Sequence, residues 1–471
     1  MLLRQIFDPH LAQYAYLVGC QKTGEAILID PERDIDRYRA IAADAELRIT
    51  AVAETHIHAD FVSGAQEFAA SDPALRIYVS GEGGPQWQSV WAKGHAGLVT
   101  LRDGDKFRVG NIEFTAVHTP GHTPEHVTYL VTDIGGGADE PMAALTGDFL
   151  FVGDVGRPDL LEQAAGIAGA QEPAARQLFA SLRKFSKYDA ALQILPAHGA
   201  GSACGKALGA VPSSTLGYER KFNGALRLAL TGGEEEFVKF ILSGQPEPPL
   251  YFARMKQVNR DGIAIIGGVP QPRKTDAAAW RGRVLDTRGD RAAFASGHLP
   301  GAFHAPMPGP FFSTAAGSYL APEDDVLLVV ENESAVDEAA RQLYRIGFDR
   351  IGGWALAGEL ADAGLLTAHT ERIEFDAWDR AALDGGLVLD VRNASEFAAG
   401  HLDGALNIAY TRLKARLAEV PRGRRLFIHC GSGKRASLAS SFLRAENFDA
   451  VHVDGTCSEC ERIAQTHALT H

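Results

Sequence analysis

Residues 55–60 read Thr-His-Ile-His-Ala-Asp, and they directly follow a largely apolar run, 49–54, that predicts a β-strand. Alternate side chains of an extended segment point to the same face. His56, His58 and Asp60 are therefore expected to converge where this strand ends. Imidazole nitrogens and carboxylate oxygens are donors that zinc and non-haem iron sites use in proteins. The segment therefore predicts a metal site.

Three further polar groups follow predicted strands in the first half of the chain. His122 lies in the turn sequence Thr-Pro-Gly-His-Thr, Asp148 follows the apolar run 145–147, and His198 lies in Leu-Pro-Ala-His-Gly. A single histidine is more often structural than a ligand. Four clusters at successive strand ends instead indicate one metal centre.

The order of these motifs resembles the metallo-β-lactamase superfamily over residues 1–240, and the resemblance implies an αββα sandwich. The first motif of that family usually continues with a further histidine, where this chain has Phe61. The missing imidazole would serve a second metal ion together with Asp60, Asp148 and His198. We therefore expect a single metal ion.

The persulfide dioxygenase branch of this superfamily uses two imidazoles and one carboxylate, the donor set of non-haem Fe(II) oxygenases. Resemblance to that branch implies one Fe(II) per chain bound by His56, His122 and Asp148. Zinc stays an alternative, because spacing alone does not distinguish the two metals. The same resemblance implies a surrounding group that orients the ligands: His58, Asp60, His198, Arg157 and Asp159.

Two segments beyond His198 are candidates for substrate contact. Cys204 lies in a glycine-containing loop, where Lys206 would lower its pKa, and we interpret it as a thiol that contacts substrate or carries sulfur; a passive loop cysteine is the alternative. Residues 213–221 are rich in hydroxyls and cations. Helix capping is the simpler interpretation of this segment. The other is binding of the anionic end of a thiol cofactor through Tyr218, Arg220 and Lys221.

Near the other end of the sequence, Cys430 closely follows the apolar run 426–428 and opens the sequence Cys-Gly-Ser-Gly-Lys-Arg. A glycine-rich loop between a strand and a helix surrounds the sulfur with backbone N–H groups. These groups, the helix start and the cations Lys434 and Arg435 favour an anion there. Because the thiolate is the nucleophilic form of cysteine, Cys430 is predicted to be a nucleophile.

The spacing of Cys430 and Arg435, with Asp-Val-Arg at 390–392 and Gly-His-Leu at 400–402, resembles the rhodaneses, whose cysteine carries one extra sulfur atom. Part of the same signature occurs at 286–288 and 297–299, which indicates a duplication. Aligning 327–330 with 426–429 puts Glu331 opposite Cys430, so the first copy is expected to be inactive. The resemblance implies two doubly wound parallel α/β domains.

The whole chain is therefore predicted to be an α/β protein of three domains. The first is a metallo-β-lactamase-like domain over 1–265, and a linker rich in proline and glycine follows at 267–272. The inactive rhodanese-like copy is predicted over 274–368 and the active one over 372–471.

Composition narrows the partners. The net charge of −13 argues against binding nucleic acid or an anionic membrane, and no apolar stretch approaches the roughly 20 residues that span a bilayer. Five cysteines in 471 residues are too few for a disulfide framework. We expect a cytoplasmic protein in which Cys457 and Cys460 are packed thiols; a resolving role for Cys430 is the weaker interpretation. A homo-oligomer is left open.

Taken together, the motifs resemble persulfide dioxygenase–rhodanese fusions. That resemblance implies oxidation of a low-molecular-weight thiol persulfide, of the glutathione or coenzyme A type, by O2 to sulfite, a chemistry of sulfide detoxification. Cys430 would exchange sulfane sulfur with sulfite or thiosulfate. Two alternatives stay open: a thioester hydrolase similar to glyoxalase II, and a non-enzymatic persulfide sensor.

Overall fold

The computed structural model describes residues 1–163, 166–378, 385–458 and 460. The chain divides into two compact units. The first comprises Met1–Pro248, Phe252–Gly268 and Arg345–Gly347, and the second comprises Pro249–Tyr251, Val269–Tyr344 and Phe348–His471. Residues 379–384, 459 and 461–471 of the predicted active rhodanese domain lie outside the described residues.

The first unit contains two six-stranded sheets. The strands of the first are β1 (Leu2–Asp8), β2 (Gln13–Cys20), β3 (Glu25–Ile29), β4 (Arg48–Ala53), β5 (Arg76–Ser80) and β6 (Leu98–Leu101), in the order β1-β2-β3-β4-β5-β6. The strands of the second are β7 (Lys106–Val109), β8 (Ile112–His118), β9 (Val127–Thr132), β10 (Ala143–Gly147), β11 (Gln193–Pro196) and β12 (Ser214–Thr215), in the order β12-β11-β10-β9-β8-β7.

Helices cover the outer faces of both sheets. They are α1 (Ile35–Asp44), α2 (Ala65–Ser71), α3 (Leu160–Gln163), α4 (Gln171–Phe185), α5 (Leu216–Phe222), α6 (Gly224–Thr231), α7 (Glu234–Leu242) and α8 (Phe252–Asp261). Strand β2 shows how the layers arise. Tyr16 and Val18 belong to the core between the sheets, whereas Ala15 and Leu17 pack with α1 and α2. Because alternate residues face opposite sides, an apolar strand buried on both faces builds the predicted αββα sandwich.

The second unit contains two all-parallel sheets. The first has β13 (Arg283–Asp286), β14 (Ala302–His304), β15 (Val326–Val330) and β16 (Ile351–Leu356), in the order β14-β13-β15-β16. The second has β17 (Arg372–Glu374), β18 (Leu387–Asp390), β19 (Leu406–Asn407), β20 (Leu426–His429) and β21 (Ala450–Asp454), in the order β17-β21-β20-β18-β19. The helices of the unit are α9 (Arg291–Ser296), α10 (Phe311–Tyr319), α11 (Ala335–Arg345), α12 (Ala357–Asp362), α13 (Ala394–Ala399) and α14 (Lys434–Ala445).

The strand registers support the duplication but correct the alignment of the two copies. Asp286 pairs with Val329, and its counterpart Asp390 pairs with His429. Val330, not Glu331, therefore corresponds to Cys430. The alignment from sequence is wrong by one residue because the strand of the first copy is entirely apolar and carries no polar marker of register. Valine offers no nucleophile either, so the reason for an inactive copy is unchanged.

The three-domain division with its boundaries at 265, 274, 368 and 372 stays a prediction, since compactness separates only two units. In the part of the chain that the structure describes, no helix has both the length and the apolar sequence that crossing a bilayer requires.

Candidate metal centre and sulfur-transfer site

Three predicted ligands come together where strands of the first unit end. His56 follows β4, His122 lies between β8 and β9, and Asp148 follows β10. Each contributes one donor atom to a group whose atoms lie within 4.8 Å of one another, and all three side chains are buried. His122 Nε2 lies 3.5 Å from Asp148 Oδ2. Two imidazoles and a carboxylate form the facial donor set of non-haem Fe(II) sites.

Hydrogen bonds hold both imidazoles in a metal-binding orientation. His122 Nδ1 donates to the carbonyl of Arg157 at 3.0 Å, which leaves the lone pair on Nε2. His56 Nδ1 lies 2.9 Å from the Thr55 hydroxyl, which itself donates to Asp30 Oδ2 at 2.8 Å. The hydroxyl thus accepts from His56, so the other ring nitrogen is free of a proton. Such outer partners are typical of metal-bound histidines.

Burial sets the charge of these groups. It lowers the pKa of His56 well below the usual value and that of His122 to about 3, so both rings are neutral. Burial also raises the pKa of Asp148 to about 6, because a carboxylate in the interior lacks the compensation of water. A bound cation would supply that compensation.

A second donor group adjoins Asp148. Asp60, His198 and Cys204 each place one donor atom within 4.8 Å of the others. His198 Nε2 lies 3.3 Å from Asp60 Oδ2 and 3.3 Å from Asp148 Oδ1. None of these three atoms has a hydrogen-bond partner although all are buried. Orphaned buried donors and acceptors at one place fit a site that receives a cation or its bound water.

His58 belongs to a third group and is engaged by carboxylates. Its Nε2 lies 3.0 Å from Glu54 Oε2 and 3.2 Å from Asp30 Oδ1. Burial alone would lower the pKa of His58, but the two carboxylates outweigh it and raise the pKa well above the usual value. The ring of Phe61 packs against the His58 ring with centroids 4.4 Å apart, and Phe61 is fully buried. Phe61 thus presents an apolar ring to His58, and its role as a wall of the metal site stays a prediction.

Cys204 lies at the site, but its predicted activation is wrong. Burial raises the pKa of its thiol well above the usual value, and Asp148 and Asp60 add to the effect. The ammonium group of Lys206 instead donates to the carbonyls of Phe240 and Ser243, at 2.8 Å each. Sequence proximity of Lys206 was misleading because the local fold turns its side chain to these carbonyls.

Arg157 contacts both the candidate ligand His122 and the segment that contains Cys204. Its guanidinium forms a bidentate pair with Asp159, with distances of 2.9 and 2.6 Å, and also donates to the carbonyl of Ala203 at 2.9 Å. Its own carbonyl accepts from His122. Arg157 therefore positions a candidate ligand and the residue preceding Cys204 at once.

Replacing Arg157 by lysine should weaken metal binding about 10-fold, the lower end of the cost of disturbing an outer partner, because the carbonyl that accepts from His122 is kept but its side-chain anchors are lost. Lysine keeps the charge but cannot form the bidentate pair with Asp159 and reach Ala203 together. Metal affinity measured by competition with a chelator tests this. Arg108→Lys, at an exposed arginine paired with Glu113, is the matched control; equal affinity of both variants would contradict the role of Arg157.

The predicted thiol-binding segment is largely structural. The Thr215 hydroxyl accepts from the backbone of Tyr218 at 3.3 Å and caps α5, as the simpler interpretation expects. Arg220 donates to the carbonyls of Ser186 and Tyr188, which occupies its guanidinium and speaks against a role in substrate binding. Tyr218 is 55% exposed and lines a cavity of about 670 Å³, and Lys221 is exposed.

The predicted nucleophile of the second unit has the expected local geometry. Cys430 is buried between β20 and α14, and Gly433 precedes the helix with a φ of +77°. A Cβ at Gly433 would lie 1.9 Å from Asp454 Oδ1, so glycine is required by both conformation and space. Burial raises the pKa of the Tyr410 phenol to about 12, and this group interacts with Cys430 and with Thr314 of the first copy.

Arg435 differs from its sequence prediction in one respect. Its guanidinium forms a bidentate pair with Glu396, with distances of 2.6 and 2.7 Å. Glu396 also accepts from the backbone of Asn393 in the capping box of α13. The sequence indicated no such role for Glu396, because the pairing depends on the contact between α13 and the start of α14. Lys434 is the first residue of α14 and lines a neighbouring cavity. Among the described contacts, no carboxylate pairs with its ammonium group.

The remaining signature residues build structure in both copies. Arg392 pairs with Asp390 and donates to the carbonyl of Gly400 at 2.8 Å, and Arg288 does the same with Asp286 and Gly297. Because the first copy keeps these contacts although Val330 corresponds to Cys430 there, the contacts do not depend on a cysteine and serve the fold.

The first copy also contributes to the surroundings of α14. His304 Nε2 donates to the carbonyl of Arg288 at 2.7 Å, so Nδ1 accepts from the Ser437 hydroxyl at 3.0 Å. The backbone N–H of His304 donates to the Ser441 hydroxyl at 2.9 Å. Arg291, His304, Lys434 and Ser437 line a cavity of about 230 Å³. The first copy and α14 thus line this cavity together, and a packing role for the first copy stays a prediction.

Asp454 should make the stability of the second unit depend on acid. Burial alone would raise its pKa, but hydrogen bonds from Arg291 and Arg372 outweigh it and lower the pKa from 3.8 to about 2. The stabilisation is present above pH about 4 and is lost as the pH falls through about 2. Asp454→Asn should thus lower the free energy of unfolding at neutral pH. The difference in this free energy between the variant and the parent protein should become smaller as the pH falls.

Urea unfolding between about pH 3 and pH 7 measures this dependence. Asp449→Asn, at a 60% exposed carboxylate near Arg444, is the control. If the free energies of unfolding of the parent protein and Asp454→Asn differed by the same amount at every pH, the stabilising role of the Asp454 carboxylate would be contradicted.

The two remaining cysteines differ from their prediction. Cys457 and Cys460 form a disulfide, not a pair of packed thiols. His429 joins them in a group of donor atoms that no sequence signal indicated, because it lies 28 residues earlier on another element.

Comparisons with known proteins agree with the two families that the sequence motifs resemble. A family model described as the metallo-beta-lactamase superfamily matches residues 9–198, and one described as the rhodanese-like domain matches 376–460. Persulfide dioxygenase ETHE1, mitochondrial, of Bos taurus is 30% identical over 241 residues, which cover 51% of this chain and 80% of that protein.

Two other similar proteins bear on the alternatives. Hydroxyacylglutathione hydrolase cytoplasmic of Arabidopsis thaliana is 34% identical over 145 residues, which cover 31% of this chain and 51% of that protein. The crystal structure of a metallo-beta-lactamase from Staphylococcus aureus subsp. aureus COL shares 39% identity at a TM-score of 0.67 and covers 75% of this chain and 98% of that one. The matched 75% of this chain is a larger share of the residues than the first unit comprises.

Proposed function

This chain belongs to the metallo-β-lactamase superfamily and also carries a rhodanese-like domain, and on that premise we propose that it is an iron-dependent persulfide dioxygenase with a thiosulfate sulfurtransferase site at Cys430. The observation that carries the proposal is the buried group of His56, His122 and Asp148. Its two neutral imidazoles and one carboxylate suit Fe(II), one per chain.

The proposed reaction consumes a persulfide of a small thiol, of the glutathione or coenzyme A type. R–S–SH, O2 and H2O give R–SH, sulfite and two protons, so the terminal sulfur is oxidised and the thiol is regenerated. Bound Fe(II) would supply open coordination positions where both substrates meet. The residues of this chain would hold the ion and orient its ligands. Thr55 and the Arg157 carbonyl keep the rings of His56 and His122 in place, and the buried Phe61 would keep one side of the site apolar.

The proposed sulfurtransferase step uses the thiolate of Cys430. It attacks the outer sulfur of thiosulfate, the S–S bond breaks, and sulfite leaves with the bonding pair. The Cys430 persulfide then passes its sulfur to an acceptor thiol, or the sequence runs in reverse with sulfite as acceptor. Lys434 and the backbone N–H groups of the loop would stabilise the anions in either direction.

A thioester hydrolase remains the second candidate, because a hydroxyacylglutathione hydrolase is among the similar proteins and Asp60, His198 and Cys204 form a second donor group. His58 argues against a second metal ion. It is engaged by Glu54 and Asp30 and packs against Phe61, which offers no donor atom.

Metal analysis of anaerobically purified protein, paired with oxygen uptake on glutathione persulfide, tests the proposal. We expect one iron per chain and oxygen consumption with sulfite as product. Two zinc ions per chain with cleavage of a glutathione thioester and no oxygen uptake would favour the hydrolase. Binding of persulfide without turnover would favour the persulfide sensor.

The setting of this reaction follows from its chemistry. Removal of persulfide sulfur as sulfite or thiosulfate belongs to sulfide detoxification, and we propose the cytoplasm as its compartment. Nucleic acid and membrane are not proposed as partners.

A further inference from the structure

Cys457 and Cys460 are used by neither proposed activity. Their sulfur atoms and one ring nitrogen of His429 all lie within 4.8 Å of one another. The cysteines are each 1% exposed and His429 is fully buried. The disulfide joins the two sulfurs in the oxidised form. Two cysteines and one histidine gathered in the interior are the donors of a structural zinc site.

We propose that the reduced thiols of Cys457 and Cys460, together with His429, bind a thiophilic divalent cation, with Zn²⁺ as the probe, and that the disulfide and the metal-bound form exclude each other. Three protein donors leave one position of a tetrahedral ion for water or a small thiol. The site is distinct from the first unit's metal centre, because all three residues lie in the second unit.

The surroundings of the three donors suit a bound cation. The backbone N–H of Cys460 donates to the Cys457 sulfur at 3.3 Å, an interaction that stabilises a thiolate. Asp390 Oδ2 lies 3.5 Å from His429 Nε2, close enough for the carboxylate to orient the ring. Val388 and Leu402 pack around the sulfurs. Thiolates in such apolar surroundings need a compensating positive charge.

Reduction followed by metal binding converts the disulfide form of the site into the metal-bound form. A dithiol reductant transfers two electrons and two protons to the disulfide: the protein S–S bond breaks, two thiols form, and the reductant closes to a cyclic disulfide. Zn²⁺ then displaces the two thiol protons and binds both thiolates. A small-molecule disulfide then serves as oxidant: it accepts two electrons, its S–S bond breaks to two thiolates, the protein disulfide re-forms, and the ion is released because both of its thiolate ligands are consumed.

Metal binding there would act on the Cys430 loop through the chain. His429 is the last residue of β20 and directly precedes Cys430. An ion shared by His429, Cys457 and Cys460 would connect the end of β20 to these two cysteines, which follow β21. We therefore expect Zn²⁺ to raise the unfolding temperature of the reduced protein through this site.

The test compares the full-length protein in its two redox forms, and so needs no substitution. One sample is reduced anaerobically with dithiothreitol and desalted, and the other keeps the disulfide. The reduced form should bind one more equivalent of Zn²⁺ than the oxidised form. With Co²⁺ it should also show a thiolate-to-metal charge-transfer band of two-thiolate intensity that the oxidised form lacks.

Variants then locate the additional ion. Cys457→Ser/Cys460→Ser should lose the equivalent and the band, whereas Cys20→Ser, at a buried cysteine of the first unit, should keep both. His429→Ala should keep thiolate bands but bind Zn²⁺ more weakly. Equal Zn²⁺ stoichiometry in reduced and oxidised parent protein would overturn the proposal, whatever the variants do. Neither outcome depends on oxygen uptake, so the proposed dioxygenase can fail independently.

Discussion

Replacing Asp148 by asparagine is expected to reduce iron content and persulfide-dependent oxygen uptake together, by more than about 100-fold. That factor is the upper end of the cost of losing an outer partner, and a ligand should cost more. Asp148 is the carboxylate of the candidate triad and also lies 3.3 Å from His198 Nε2. Asparagine keeps the shape but loses the charge that would balance a cation. Iron analysis and an oxygen electrode measure both effects.

The control for this variant is Asp103→Asn, at a half-exposed carboxylate that pairs with Lys184. It should keep iron and oxygen uptake. Sulfur transfer from thiosulfate should be unchanged in both variants, since Cys430 lies in the other unit. Full iron content in Asp148→Asn would show that a different carboxylate, with Asp60 the nearest candidate, is the ligand.

Replacing Cys430 by serine should lower thiosulfate-to-thiol sulfur transfer by at least about 1,000-fold, an effect in the range seen when a catalytic nucleophile is removed. A serine hydroxyl does not ionise near neutral pH and does not accept sulfane sulfur. Oxygen uptake on glutathione persulfide should stay at the parent level. Cyanide trapping of the sulfur on the protein and steady-state transfer rates measure the loss.

Cys20→Ser is the matched control, because Cys20 is a buried thiol of the first unit whose contact is with the backbone of Asn111. It should keep both activities. If Cys430→Ser lost oxygen uptake as strongly as sulfur transfer, the separation of the two sites would be wrong and the sulfur of Cys430 would be needed at the iron.

Local sequence by itself determined the features that depend on near neighbours in the chain. The donors at 56, 122 and 148 each follow a strand, so a metal site at these strand ends could be predicted from their order, whereas the choice of these three as ligands came from the family resemblance. Alternation along the chain predicted that His56, His58 and Asp60 converge, but the structure places them in three separate donor groups. The sequence also predicted the lack of a metal donor at Phe61 and the presence of a nucleophile at Cys430. The residue type at a single position decides each of these two properties.

Tertiary structure alone decided charge, pairing and register. Burial among carboxylates raises the pKa of Cys204, although Lys206 lies two residues away in sequence. Hydrogen-bond pairing across strands, and not the apolar pattern, placed Val330 opposite Cys430. His429 meets Cys457 and Cys460 because separate elements bring their ends together. Such properties arise from desolvation and from contacts distant in sequence, which residue spacing does not encode.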